Sequence, residues 1–397
     1  MQLQPTIDRT HLTDRKIIGQ DAAIDFTRSV APRPRDIANG LVRTLSTLST
    51  QEDVGCLLDG SVPGGAVEDR VCGARLLSRR FGSAIDPDRI IVTNGTQSAL
   101  HLLFRTFIRT GGTLLSEALS YGVLKGIARQ ANVRLESLAL DHEGITPEAV
   151  VRAFSASAGT ADLLYCNPTI HNPTTSIMSI QRRKEIAALA RTHSFKIVED
   201  DVLGLLHPEA PPPLAALAPD ITWYVMGLTK CLAHGMRIAY LLAPSVDHAK
   251  KLLAAERTYS SWFPAPLQAA VVRQWIKDGT AEQITSAIRS EMDARHAIAR
   301  QVLAGHTFSG CDGAMHIWLK LPHPWSNREF EDAARRRRVL VRTADRFAVD
   351  DAPTSPAIRL SLSSPPDRQT VASGLATVAA LLDEDFRGQF AEMGKNR

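Results

Sequence analysis

Beyond residue 89 the chain alternates between two hydrophobic patterns. Short, nearly continuous apolar runs (RIIV, TLL, DLLYC, FKIV, ITWYVM) are separated by stretches whose apolar residues recur every three or four positions. A run of about four to eight apolar residues fits a strand buried on both faces, whereas the longer spacing fits a helix with one apolar side. In order the pattern predicts a strand and then a glycine turn over 89–95, helix 96–108 with Leu100, Leu103, Phe104 and Phe107 on one side, strand 113–118, helix 123–130 and strand 133–140. Strand 161–168, helix 182–194, strand 195–201 and strands 221–228 and 236–244 follow. Strands alternating with helices predict an α/β unit built on a mostly parallel central sheet. Upstream, Ile37, Leu41, Leu45 and Leu48 give one apolar face to a helix over 35–48, and a second helix is predicted over 66–81. Downstream, a helical pattern over 280–303 leads to strand 315–322, helix 328–337, strand 339–347 and strand 357–364, the order of a smaller α+β unit.

A chain of 397 residues is long for one core. The division expected is 1–58, a polar N-terminal arm and part of the small domain; 59–280, the large α/β domain; and 281–397, the small C-terminal α+β domain. Charge narrows the choice of partner. The 46 basic and 42 acidic side chains give a formal charge of +4, too weak a bias for nucleic acid. The arginines at 335–338 read as the solvated end of a helix. Five cysteines lie far apart with no CxxC pair, so neither a metal site nor a disulfide framework is expected, and a reducing, cytoplasmic setting fits. The N-terminus has no apolar leader, and the apolar runs are too short and interrupted to span a membrane.

Ligands of open α/β sheets bind beyond the carboxyl ends of the strands. Four unusual segments fall there: NGTQ at 94–97, NPTIHNPT at 167–174, EDD at 199–201 and TK at 229–230. Gly95 permits a tight turn, after which the N–H groups of Gly95, Thr96 and Gln97 open a helix; they can hold a phosphate, with the Thr96 hydroxyl as a further donor, or simply cap the helix. Asp200 and Asp201 end a strand, either as turn residues or with one carboxylate facing a buried cation such as a protonated ring nitrogen. Asn172 is a turn residue before proline, or an amide donor to a phenolate oxygen. Lys230 stands between two apolar runs, as a helix-start cation or as a desolvated amine able to act as nucleophile. Arg237 is a surface cation or a ligand whose planar guanidinium suits a phosphate.

Taken in order, TNGTQSAL, NPTIHNPT, FKIVEDD, residues 225–244, GAMHIWLKLP and AIRLSLS resemble the motifs of the fold-type I, pyridoxal-phosphate-dependent class I/II aminotransferases. The nearest subgroups are the 2-aminoadipate and kynurenine aminotransferases and the aminotransferase-like domain of MocR-type regulators. The resemblance covers roughly residues 24–363. It implies pyridoxal 5'-phosphate as cofactor, with Lys230 as the Schiff-base lysine and Asp200 as the partner of the pyridine nitrogen. It also implies Gly95, Thr96, Gln97, Thr229 and Arg237 around the phosphate, Asn172 near both the ring oxygen and the substrate, Tyr121 stacked on the ring, and Arg359 gripping the substrate α-carboxylate. The implied reaction moves an amino group between an L-amino acid and a 2-oxo acid, in a homodimer with its sites at the interface. Ser120, Tyr121, Trp262 and the N-terminal segment are expected to shape the side-chain pocket.

Several positions depart from the family's pattern. Leu203 stands where a tyrosine is usual, Gly227 replaces the first serine of Ser-x-Ser before the lysine, and Thr175 replaces the glycine of NPTG. With Gly227, one hydroxyl donor to the phosphate is missing from the expected set. These changes leave open other chemistry on the same lysine, as in a lyase, decarboxylase, racemase or oxidase, and a non-catalytic sensor domain. The resemblance begins near residue 24, so no winged-helix DNA-binding module is expected ahead of it.

Overall fold

A computed structural model describes residues 23–34, 37–50, 54–156, 161–256, 262–350 and 352–384. Residues 1–22, the start of the polar arm expected within 1–58, lie outside them. A seven-stranded sheet runs in the order Ile90–Thr93, Ala239–Leu242, Thr222–Gly227, Lys196–Asp200, Ala161–Cys166, Thr113–Glu117 and Arg134–Leu138. Ala239–Leu242 is antiparallel to both its neighbours, and the other pairings are parallel. The continuous apolar runs are explained by layers on both sides. Alternation along the strands sends Ile91, Leu114, Val198, Val225 and Leu241 into one core with Leu100, Leu103 and Phe104 of helix Gly95–Phe107. It sends Val92, Tyr224 and Tyr240 into a second core and Leu115, Leu164 and Ile197 into a third with Ile186 of helix Ile180–Thr192.

A separate four-stranded antiparallel sheet has the order Phe308–Ser309, Ile317–Lys320, Ala357–Leu360, Arg342–Thr343. The single strand predicted over 339–347 is two. Val339–Leu340 pairs in parallel with the N-terminal Ile24–Asp25, whereas Arg342–Thr343 pairs with Ala357–Leu360, and a helical turn at Ala344–Arg346 ends the extended run. The N-terminal segment is thereby tied to the later part of the chain and delivered to the rim of the site.

Helix Ile37–Ser49 keeps Ile37, Leu41 and Leu48 of its expected apolar face against the core but not Leu45. It buries Gly40, Thr44 and Leu48, while Leu45 is 41% exposed. The polar Thr44 is accepted into the core because its hydroxyl oxygen takes the indole N–H of the buried Trp275 at 2.9 Å. Helices Pro147–Ala156, Val246–Glu256, Pro266–Lys277 and Arg368–Asp383 were not read from the periodicity. Two of them open with proline at the first helical position and one with Asp367 capping the Thr370 N–H, the ordinary start signals.

Candidate active site

The loops that leave the sheet's carboxyl edge meet the four-stranded sheet and residues 27–30 around a cavity of ≈ 640 Å³. That volume suits a cofactor with a small substrate. Gly95, Thr96, Gln97, Tyr121, Asn172, Asp200, Thr229, Lys230, Arg237 and Arg359 all line it.

Successive strand residues point to opposite faces, which separates the two candidate carboxylates. Asp201 is turned away from the cavity and paired with Arg80 Nε at 2.9 Å, and it accepts the Tyr224 hydroxyl at 2.9 Å. Asp200 faces the cavity. Its Oδ2 accepts the Tyr165 hydroxyl at 2.7 Å, while its Oδ1 is buried with no partner among the described residues. Burial pushes the Asp200 carboxyl up to about 7, outweighing the Tyr165 hydrogen bond that favours the anion. Asn167 braces this corner: its side-chain N–H donates to the Asp200 carbonyl, and its side-chain oxygen accepts the Asn172 N–H at 2.8 Å.

Lys230 follows strand Thr222–Gly227 and donates from Nζ to the Ser29 carbonyl. Burial lowers its ammonium to about 8; the Arg359 cation acts in the same direction, and Asp200 opposes it. Arg359 sits on strand Ala357–Leu360, opposite Trp318 on one side and Arg342 on the other. Its Nη1 donates to Asn172 Oδ1 at 2.7 Å, its Nη2 donates to the Thr27 carbonyl at 2.8 Å, and the guanidinium lies 4.9 Å from the Phe347 ring centroid. Burial, followed by repulsion from Arg342, lowers it to about 9, so it is charged at neutral pH.

The turn opening helix Gly95–Phe107 needs its glycine, because Gly95 has φ +81°. Arg237 Nη2 lies 3.8 Å from where a Gly95 Cβ would stand, so a cation flanks the helix's free N–H groups. Gln97 Nε2 donates to the Tyr121 hydroxyl at 3.1 Å.

The structure gives physical reasons for two departures from the family's pattern. A Cβ on Gly227 would collide with Thr96 Oγ1 and lie 3.2 Å from Val202 Cγ1. The Thr96 hydroxyl fills the volume a serine at 227 would need. Thr175 takes the left-handed φ of +62° that a glycine would adopt, held by hydrogen bonds from its hydroxyl to the Thr174 carbonyl and Ser309 Oγ. Leu203 is buried in the cavity wall and offers no hydroxyl.

Ser120 and Trp262 do not line the cavity. Ser120 is drawn into a buried cluster with Ser116 and Glu117, and Trp262 stacks on His101 at 5.4 Å behind the phosphate-type turn. Sequence reasoning missed Tyr165, Thr27, Arg342 and His316. Tyr165 was accessible to it: it lies on strand Ala161–Cys166, two residues before Asn167 in the loop that follows, and both line the cavity.

The fit of pyridoxal phosphate rests on these groups. A buried carboxylate oxygen without a partner among the described residues is matched to a ring N–H⁺, a desolvated amine to an aldehyde, and a helix N-terminus flanked by an arginine to a phosphate dianion. Fold and site together define a fold-type I, pyridoxal-phosphate aminotransferase domain. The chain belongs to the family described as "Aminotransferase class I and II", which matches residues 63–376.

The chain is 28% identical over 308 residues to an uncharacterized HTH-type transcriptional regulator, YdeF, of Bacillus subtilis, covering 78% of this chain and 66% of the relative. It covers 57% and 58% of two further Bacillus subtilis regulators of the same description, so it spans less than two thirds of these relatives' length. It is 25% identical over 309 residues to the 2-aminoadipate transaminase of Thermus thermophilus, covering 75% of this chain and 76% of the relative. The solved structure of Pyrococcus horikoshii kynurenine aminotransferase shares the fold with a TM-score of 0.83 at 22% identity, over 97% of this chain and 96% of that one.

Proposed function

We propose that the chain transfers an amino group between an L-amino acid and a 2-oxo acid with pyridoxal 5'-phosphate. The observation that carries this is the Oδ1 of Asp200, without a partner among the described residues, in the same cavity as the desolvated Lys230 and Arg359. When bound, the cofactor supplies the sink for electrons released as the substrate Cα–H bond breaks. Lys230, neutral above about pH 8, would hold the cofactor covalently through Nζ and, as a free amine, would move the proton at the substrate Cα. Asp200 Oδ1 would hold a proton on the cofactor's ring nitrogen, while Tyr165 fixes the carboxylate by Oδ2. Gly95, Thr96, Gln97, Thr229 and Arg237 would hold the phosphate, and Tyr121, oriented by Gln97, would cover the ring. Arg359, braced by Asn172, binds the α-carboxylate and fixes the direction of the Cα–H bond.

A screen of amino-acid half-reactions tests the assignment: at least one donor should convert the lysine-bound chromophore to pyridoxamine phosphate. Arg359→Ala should lower kcat/KM about 10–10²-fold, as for loss of a hydrogen bond to a charged group, without weakening cofactor binding. The regulator relatives favour a second reading, a sensor that binds amino acids without converting them. Binding of donors with no conversion of any would establish that reading instead.

The Thr96–Gly227 contact supports a specific role for Thr96, the hydroxyl that serves the phosphate in place of a serine at 227. Thr96→Ala alone and Gly227→Ser alone should each weaken the cofactor Kd by roughly tenfold or more, the loss of one charged-group hydrogen bond in the first case and a displaced threonine in the second. The double variant G227S/T96A should recover most of the loss, read by fluorescence titration. Additive losses in the double variant would refute the exchange.

We assign a homodimer on the exposed apolar side chains Leu58 (85%), Val62 (50%), Val67 (58%) and Val71 (48%), which follow one another along one stretch of chain. A solution mass of twice 43.3 kDa by light scattering supports it, and a monomer excludes it. The domain division 1–58, 59–280 and 281–397 is proposed on the separate strand sets of the two larger sheets. Among the described residues no helix is long and apolar enough to cross a membrane. The widely spaced free cysteines support a reducing, cytoplasmic setting.

A further inference from the structure

His316 is 2% exposed and lines the same cavity, immediately before strand Ile317–Lys320. The register pairs Trp318 with Arg359, so His316, two residues from Trp318, shares the sheet face of Arg359. Neither ring nitrogen reaches a hydrogen-bond partner of good geometry among the described residues, although the His171 backbone lies close enough to favour the protonated ring. The other buried histidines next to it are treated differently. His171 pairs Nδ1 with Thr174 Oγ1 at 2.7 Å and Nε2 with the Leu119 carbonyl at 3.0 Å, and His296 pairs Nε2 with the Ala314 carbonyl at 2.7 Å. This fold satisfies imidazoles that only pack. His316 is buried, polar and unsatisfied, a costly state that a ligand relieves.

We propose that His316 contacts the side chain of the amino acid held by Arg359, and that it selects a neutral hydrogen-bonding side chain, an amide or hydroxyl, over an apolar one. The proposal rests on the aminotransferase reading of the cavity. Arg359 and Asn172 account for the α-carboxylate, so the imidazole is left to read what lies beyond Cα. Burial and the neighbouring Arg359 hold the ring well below the ordinary histidine range, so it is neutral and offers one donor and one acceptor, which an amide or hydroxyl can answer. A site built to hydrogen-bond a polar group discriminates strongly against the analogue that lacks it.

The test compares L-glutamine with L-methionine, similar in length and both neutral, so that the arginines around the cavity act equally on each. Calorimetric Kd values are measured on the cofactor-loaded protein, alongside half-reaction kcat/KM. Wild type should prefer glutamine by about tenfold or more, His316→Phe should shrink that ratio to near one, and His316→Gln, which restores a donor and an acceptor, should recover part of it. The cofactor Kd should be unchanged in both variants, which also shows that they fold. Equal affinity for the two ligands in wild type, no glutamine binding, or an unchanged ratio in His316→Phe overturns the proposal. Discriminating binding without turnover would leave His316 assigned and refute the aminotransferase reading instead.

Discussion

Lys230→Ala should abolish the amino-acid half-reaction, with a fall of about 10⁴-fold, because one substitution removes both the covalent attachment and the group that moves the Cα proton. The cofactor should still bind, more weakly, since the helix Gly95–Phe107 turn, Arg237 and Asp200 remain. Its spectrum should be that of free aldehyde, and borohydride should no longer fix it to the protein. Added methylamine should restore part of the rate by supplying the missing base. A variant that kept more than a tenth of the wild-type rate would remove Lys230 from the mechanism. The burial of this amine has a pH signature. With the ammonium lowered to about 8, covalent capture of cofactor by the cofactor-free protein should rise about tenfold per pH unit below 8 and level off above it.

That lysine was readable from the sequence because the chain gives strong local signals around it. Strands covered on both faces show as unbroken apolar runs, and the polar residues that follow those runs are where an α/β sheet places its ligands. What could not be read was decided by contacts between distant segments. The polar Thr44 is accepted into the core because Trp275, far along the chain, donates its indole N–H to it, while the neighbouring Leu45 stays exposed. Gly227 reads as a lost hydroxyl until Thr96 is seen occupying its side-chain volume. The choice between Asp200 and Asp201 depends on where Arg80 and Tyr224 lie. His316 carries no sequence signal at all: a single histidine looks the same in the sequence whether its nitrogens are satisfied, as in His171, or not.

Asp200→Asn should lower the half-reaction rate by about 10²–10³-fold, the range for removing one group that stabilises charge developing at a buried centre. The amide keeps the shape and the Tyr165 contact but cannot hold a positive ring nitrogen, so the electron sink weakens while Lys230 remains able to attach the cofactor. Asp200 and Lys230 can be separated by pH. In the cofactor-free protein, burial raises the Asp200 carboxyl to about 7. A cationic ring nitrogen binds the ionised form, so noncovalent cofactor affinity should rise with pH up to about 7 and then level. Stability of the cofactor-free protein has the opposite sign: a carboxyl whose folded pKa is raised favours the fold while protonated, and that contribution is lost as pH climbs from the unfolded value toward 7. Glu199, raised to about 7, and Glu117, raised to about 8, act in the same direction, so Asp200→Asn should flatten the decline in Tm without removing it. In affinity titrations Lys230→Ala should retain only the step near 7, and Asp200→Asn only the step near 8. A wild-type-like step near 7 in Asp200→Asn would assign that titration, and the partner of the ring nitrogen, to another carboxylate.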